Sequence, residues 1–496
     1  MSTAMHRIQG LLAYSLCLGI LLAPRLQALD EPTFYRSPAY GNVPVYNVND
    51  WTSFINIRGL QASADKSFNN RHTGNRLGLY TPASKPIKHV ALFDDSGPQE
   101  LTRLGLGMDP RPNSPVTQKF WTNSPDPKVP LTGLFDNLPL SCHGKDGAFS
   151  LHGRMLVNEI DFTMQQNLVW GFFGYVSLPY RDITIDNIKL HNHGADMIPV
   201  NPIDIGSEVP ATYSMTEFVN VDLPEILKEN GFDCPWNTTF KKHGVSDLIM
   251  AVGWQGYDAN AGDKITALGG RMHLGCLFPT GVKRNEDLVC AVPLGYNGHW
   301  GLLLRMSAEL TVYDFVTFAA QAGTTVFFRE HRYMRLKTSK AQEGWFTLEK
   351  TRVKIDEGSL WDLQGFVKFD RFFKGFSVLL GYSFTRQEES RFHLQDGCFL
   401  HTLAERLSVI PSSRHDGSKT RTFISADTIA NSDTRYHGWQ TESLHFVAAY
   451  EGIPSATKNI DPYISFSYTY PIFGRNSFAS QVFAGSLGLQ FSLRFT

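Results

Sequence analysis

No apolar run in this chain is long enough to cross a bilayer as a helix, and the mean hydropathy is slightly negative. That excludes a polytopic helical membrane protein. An excess of either charge is also missing. Lys and Arg total 46 against 47 Asp and Glu, a formal net charge of -1, so nothing marks the chain for nucleic acid or an anionic surface. Cysteine is scarce, 6 in all. Cys17 lies in the apolar run of the signal described below; Cys142, Cys234, Cys276, Cys290 and Cys398 form an odd, scattered set that is no disulfide scaffold. Cys276 and Cys290 flank one loop and read either as a pair or as small apolar residues. There is no G-x-S-x-G, H-E-x-x-H, phosphate loop or His-x-Ser-Asn-Gly, so the chain reads as a non-enzyme without cofactor. His191-x-His193 with Asp196 has metal-ligand chemistry, but two histidines in a polar loop are more often plain surface, and no metal is expected.

The N-terminus reads as a secretory signal over 1–28. His6 and Arg7 precede the short apolar run Leu11 to Ala23, and Ala28 closes a Leu-Gln-Ala cleavage context. A Pro- and Tyr-rich leader follows over 29–50.

What the chain does have is alternation, clearest at its end. Phe483, Gly485, Leu487, Leu489, Phe491, Leu493 and Phe495 fall on one face of a strand, with Ala484, Ser486, Gly488, Gln490, Ser492 and Arg494 on the other. The arrangement of Ser486, Gly488, Phe491, Leu493 and Phe495 resembles the C-terminal targeting strand of outer-membrane β-barrels. That resemblance implies recognition by the barrel-assembly machinery and contact with outer-membrane lipid.

Eleven further strands are expected at 51–60, 149–164, 168–180, 246–257, 264–278, 296–310, 315–330, 361–370, 375–388, 437–450 and 460–471. Their connections alternate. Short turns (165–167, 258–263, 311–314, 371–374, 451–459) oppose long loops, of which 61–148, 181–245 and 389–436 are the largest. An even number of strands with short turns at one end and long loops at the other fits a closed antiparallel transmembrane barrel over 51–496, with 14 strands as the alternative to 12. Two loops carry short helix signals, one from Asp222 to Gly231 and one through Phe399, Leu403 and Leu407.

If the apolar faces meet lipid, the others line a lumen. They supply Glu159, Asp161, Asp247, Glu309, Asp362 and Asp370 against Arg271, Arg305, Arg329, Lys368 and Arg494, with His273 among them. Mixed signs argue against strong ion selectivity. Phe173, Tyr175, Ile249, Leu277, Leu303, Phe327, Phe366 and Leu379 on the same face suit a packed interior or a path for partly hydrophobic solutes.

Leu274 to Gly281 (LGCLFPTG), followed by a loop and PLGYNGHWGLLLRMSAEL at 293–310, is similar to the strand, Pro-Thr-Gly turn, loop and strand of FadL-type channels. That resemblance, over 246–328, implies passive passage of a small hydrophobic solute. The Asn-Pro-Ala hatch motif of those channels is not in this chain. The alternative is a structural barrel with a plugged lumen that displays its loops.

Overall fold

The computed structural model describes residues 51–64, 66–68, 74–76, 149–192, 197–199, 212–214, 239–258, 261, 264–288, 291–336, 349–373, 375–395, 438–451, 460–475 and 477–493. The signal and leader, Arg494 and Phe495, both predicted loop helices, and His193 with Asp196 lie outside them.

Twelve strands form the barrel wall. They are β1 (Trp51–Ala64), β2 (Phe149–Asn167), β3 (Phe172–Asn192), β4 (Leu248–Asp258), β5 (Ile265–Phe278), β6 (Gly301–Val312), β7 (Val316–Phe327), β8 (Leu360–Phe373), β9 (Phe376–Gln387), β10 (Gln440–Glu451), β11 (Ile460–Arg475) and β12 (Gln481–Leu493). Each pairs antiparallel with its sequence neighbours, and β1 pairs with β12 from Trp51↔Leu493 to Ser63↔Gln481, which closes the sheet. Closure leaves no free edge in the wall. All twelve expected strands are present.

Period-two sequence becomes two faces. In β12, Phe483, Leu487 and Leu489 are exposed, whereas Val482, Ser486 and Gly488 are buried. In β11, Ile464, Phe466 and Tyr470 point out, and Ser465 and Thr469 point in. Exposed aromatics stand at both ends of the wall. Trp300, Phe328, Trp361 and Tyr470 are at the loop end; Trp170, Trp254 and Tyr450 are at the turn end, where the Trp254 indole donates to the Trp170 carbonyl at 3.1 Å. Such girdles belong at the two interfaces of a bilayer. Among the described residues no helix is long and apolar enough to cross a membrane; the strands cross instead. Cys276 is a free thiol on the outward face.

Three segments depart from the sequence expectation. β3 runs on from its expected end at 180 to Asn192, paired with the expected start of β2 at Phe149, because Ile183 and Ile185 keep alternating and are buried with Met155 and Val157 of β2. Phe240–Val245 continues β4 beyond a break at Ser246 and Asp247 and pairs with Tyr180–Ile185 of β3. The expected loop 331–360 contains strands, since Glu330–Leu336, Glu349–Asp356 and Arg391–Leu394 form a separate sheet. One face of that sheet buries Met334, Leu336, Val353, Ile355 and Phe392.

Candidate functional site: the barrel interior and its mouth

The loop between β5 and β6 is the main feature of the loop end. Residues 296–299, expected to open a strand, are buried together with 293–295 as an irregular segment. Asp247 holds that segment from the break before β4: its carboxylate accepts the Gly281 backbone N–H at 2.8 Å and the Tyr296 N–H. A Cβ on Gly281 or Gly295 would collide with this carboxylate, which is why the Pro-Thr-Gly and Pro-Leu-Gly turns need glycine at those positions. Asn297 and Gly298 then take positive φ (52° and 91°) and redirect the chain into β6. Asp247, expected as a lumen charge, is therefore wholly engaged by backbone donors at the mouth.

Further contacts pin the same loop. Arg181, fully buried, bonds Glu159 at 2.5 Å and the Leu294 carbonyl at 2.6 Å. Lys242 donates to the Lys283 carbonyl at 2.7 Å, and burial pushes its pKa down. Arg332 of the outer sheet donates to the Asn297 carbonyl at 2.8 Å. Asp287 binds Arg335 and Lys350. Burial alone would raise the Asp287 carboxyl, but the hydrogen bonds from Lys350 and Arg335 hold it below the ordinary value. Tyr296 stacks near Phe327 with ring centroids 5.1 Å apart, within an apolar cluster that includes Ile249, Leu277, Leu303, Leu360 and Trp439. His299 sits beneath, its Nδ1 at 3.2 Å from the Phe328 carbonyl and its Nε2 at 3.7–3.8 Å from carboxylate oxygens of Glu357 and Glu330.

Deeper in the barrel the predicted charges gather on the β2–β8 side. His273 stacks on Tyr175 at 6.0 Å and meets the Phe173 edge at 6.1 Å. The Arg271 guanidinium lies 4.3 Å from the Phe173 centroid and bonds Gln165. Arg305 is the register partner of His273, and it and Asp362 converge over Gly323. Asp161 accepts Ser177 Oγ at 2.8 Å and faces Arg58 across the β1–β2 pairing. Glu309 covers Gly269. Near the turn end Lys368 pairs with Asp370 at 2.9 Å.

The opposite wall is lined by hydroxyls. His445 bridges Ser383 (2.7 Å) and Thr469 (2.9 Å), and Ser465 bonds Ser486 at 2.6 Å. Ser486 and Gly488 thus face inward, with Gly488 beneath the Phe54 ring.

Arg329 lies past the end of β7. It is 60% exposed and paired with Asp356 of the outer sheet at 2.9 Å, so it stands above the interior rather than in it. Sequence reasoning missed Arg58, Arg181, Gln165, Gln255 and His445; Arg58, Gln255 and His445 occupy inward positions of expected strands and could have been found by parity, whereas Gln165 and Arg181 fell in an expected turn and an expected loop.

The closed sheet, apolar exterior and polar interior define a membrane-spanning β-barrel. No family model matches the sequence, and no curated protein matches it significantly. Among solved structures the chain is similar to an outer membrane channel from Pseudomonas putida F1, at 9% identity and TM-score 0.40 over 94% of this chain and 100% of that one. It is also similar to the translocator domain of autotransporter NalP from Neisseria meningitidis (7% identity, TM-score 0.30, 100% and 98%). A third is a Pseudomonas aeruginosa FadL homologue (9%, 0.24, 89% and 90%). At these scores nothing about solute or mechanism carries over; the membrane assignment rests on the wall itself.

Proposed function

We propose that this protein is a channel of the bacterial outer membrane for passive passage of small, partly hydrophobic solutes. It reaches that membrane through the signal over 1–28 and the C-terminal targeting residues Ser486, Gly488, Phe491, Leu493 and Phe495. One observation carries the reading: Arg271, His273, Arg305, Asp161 and Asp362 are held on the inward face at the depth of the lipid-facing belt. Burying ionic groups is unfavourable beside an apolar filling of the same volume, so charges at that depth are better explained by a path that solutes use. The mouth cluster around Tyr296, Phe327 and Trp439 would meet the solute first, which selects for an apolar part; the charged girdle follows.

A second reading is favoured by one feature. Ser465, Thr469 and Ser486 are almost completely buried although they face inward, as in a filled barrel that only displays its loops. Single-channel recording in planar bilayers separates the two. Stable, salt-dependent current steps, enlarged when 283–298 is replaced by a short Gly-Ser link, are expected for a channel. Silence from both proteins would establish the structural reading.

A further inference from the structure

The lipid-facing wall has a notch. At the seam between the first and last strands, Gly59 of β1 and Gly485 of β12 are direct register partners, and both fall on the outward face. The row through them runs Phe466, Gly485, Gly59, Ile160 and Tyr180 by successive pairings. Two adjacent strands therefore present no side chain where their neighbours present large apolar ones, with Phe466 67% exposed and Ile160 57%. A Cβ on Gly59 would meet nothing within 4 Å, and one on Gly485 would reach the Phe466 ring only at 3.7 Å. One row nearer the loop end, Phe483 packs on its β11 partner Tyr468, ring centroids 4.6 Å apart, which leaves the β1 side clear. The result is a groove of about 620 Å³ with an almost entirely apolar lining.

Its surroundings are asymmetric along the membrane normal. Toward the turn end the apolar belt continues through Ile57, Leu487 and Phe162, all exposed. Toward the loop end, one row or about 7 Å away, the surface turns polar. Gln61 donates to Asn158 at 3.3 Å, and Lys241 pairs with Asp182 at 3.4 Å.

We propose that this groove binds one acyl chain of a bilayer lipid, with the headgroup against Gln61, Asn158 and Lys241. Water is a poor occupant, because a site lined by apolar atoms gives it too few polar partners. The groove is continuous with a belt that already meets hydrocarbon, and its polar border lies one row above its floor. An occupant with a tail below and a polar head above matches that order, whereas the apolar face of a second copy of this chain would leave the crown unmatched. The site lies on the outer wall and stands or falls independently of whether the lumen conducts.

The test uses the full-length protein, stripped of lipid, reconstituted in phosphatidylethanolamine vesicles and extracted gently for native mass spectrometry. Wild type is expected to retain one phosphatidylethanolamine per barrel. Gly59→Leu and Gly485→Leu, which fill the groove, should retain several-fold less. Gly365→Leu fills another open outward position, on β8, and should behave like wild type. Gly59→Val and Gly485→Val serve if either leucine variant fails to fold. Equal retention by all variants, no retention by wild type, or a wild-type dimer that Gly59→Leu breaks would each overturn the proposal.

Discussion

Asp247 illustrates how one residue's role depends on its partners. On the chain it is one inward acidic residue among several; in the fold its carboxylate sits between two glycine turns and accepts two backbone donors. Asp247→Ala leaves both N–H groups buried without a charged acceptor, and a cost of about 2–3 kcal/mol is expected. The check is the midpoint of unfolding in detergent micelles, with Asp247→Asn retaining part of the loss. Arg181 and Glu159 call for a different experiment. Arg181→Met removes a charged partner from the buried Glu159 carboxylate and should cost about 3–5 kcal/mol, whereas Arg181→Met combined with Glu159→Leu should recover most of it. A urea titration of the four proteins of this cycle decides. If the double variant is no better than the single, the pair does more than neutralise itself.

The elements were unequally legible. Wall strands show themselves because lipid on one side and a polar interior on the other impose period two over ten or more residues. The outer sheet has the same signal in miniature: Thr351, Val353 and Ile355 alternate with Arg352, Lys354 and Asp356, yet four to eight residues bounded by charge look like loop until a third strand covers them. The mouth loop has no periodic signal, since its burial comes from turns and side-chain anchors. Its junction with the outer sheet should respond to acid. The folded-state pKa of Asp287 is depressed, so the stability it adds is present above the unfolded value, 3.8, and is lost as pH falls through the lower folded value. Hydrogen-exchange protection at Asp287, Leu288, Arg335 and Leu336, taken relative to the intrinsic exchange rate at each pH, should therefore fall in strongly acidic buffer and be unchanged between pH 6 and 8. Asp287→Asn should show the lower protection already at neutral pH.

For the whole molecule, orientation in lipid is the governing fact. A charge on the outward face is expected to cost according to depth: about 2–4 kcal/mol for Leu487→Arg near mid-belt, and about 0–1 kcal/mol for Gln481→Arg at the loop end of the same strand. Reversible unfolding into lipid vesicles measures both. Equal costs would remove Leu487 from the hydrocarbon and the barrel from the membrane.

The barrel class, its closure and the facing of its strands were determined by the sequence itself, because the solvent on each side of the wall selects residue type at every second position and the lengths of the connections alternate; the structure decided for 12 strands over 14. The tertiary structure alone decided that the β5–β6 loop is buried in the mouth, that Asp247 and Glu159 are consumed in holding it, and that two glycines 426 positions apart meet at the seam. Those facts depend on which strands become neighbours when the sheet closes, and closure brings together residues whose relation no local pattern records.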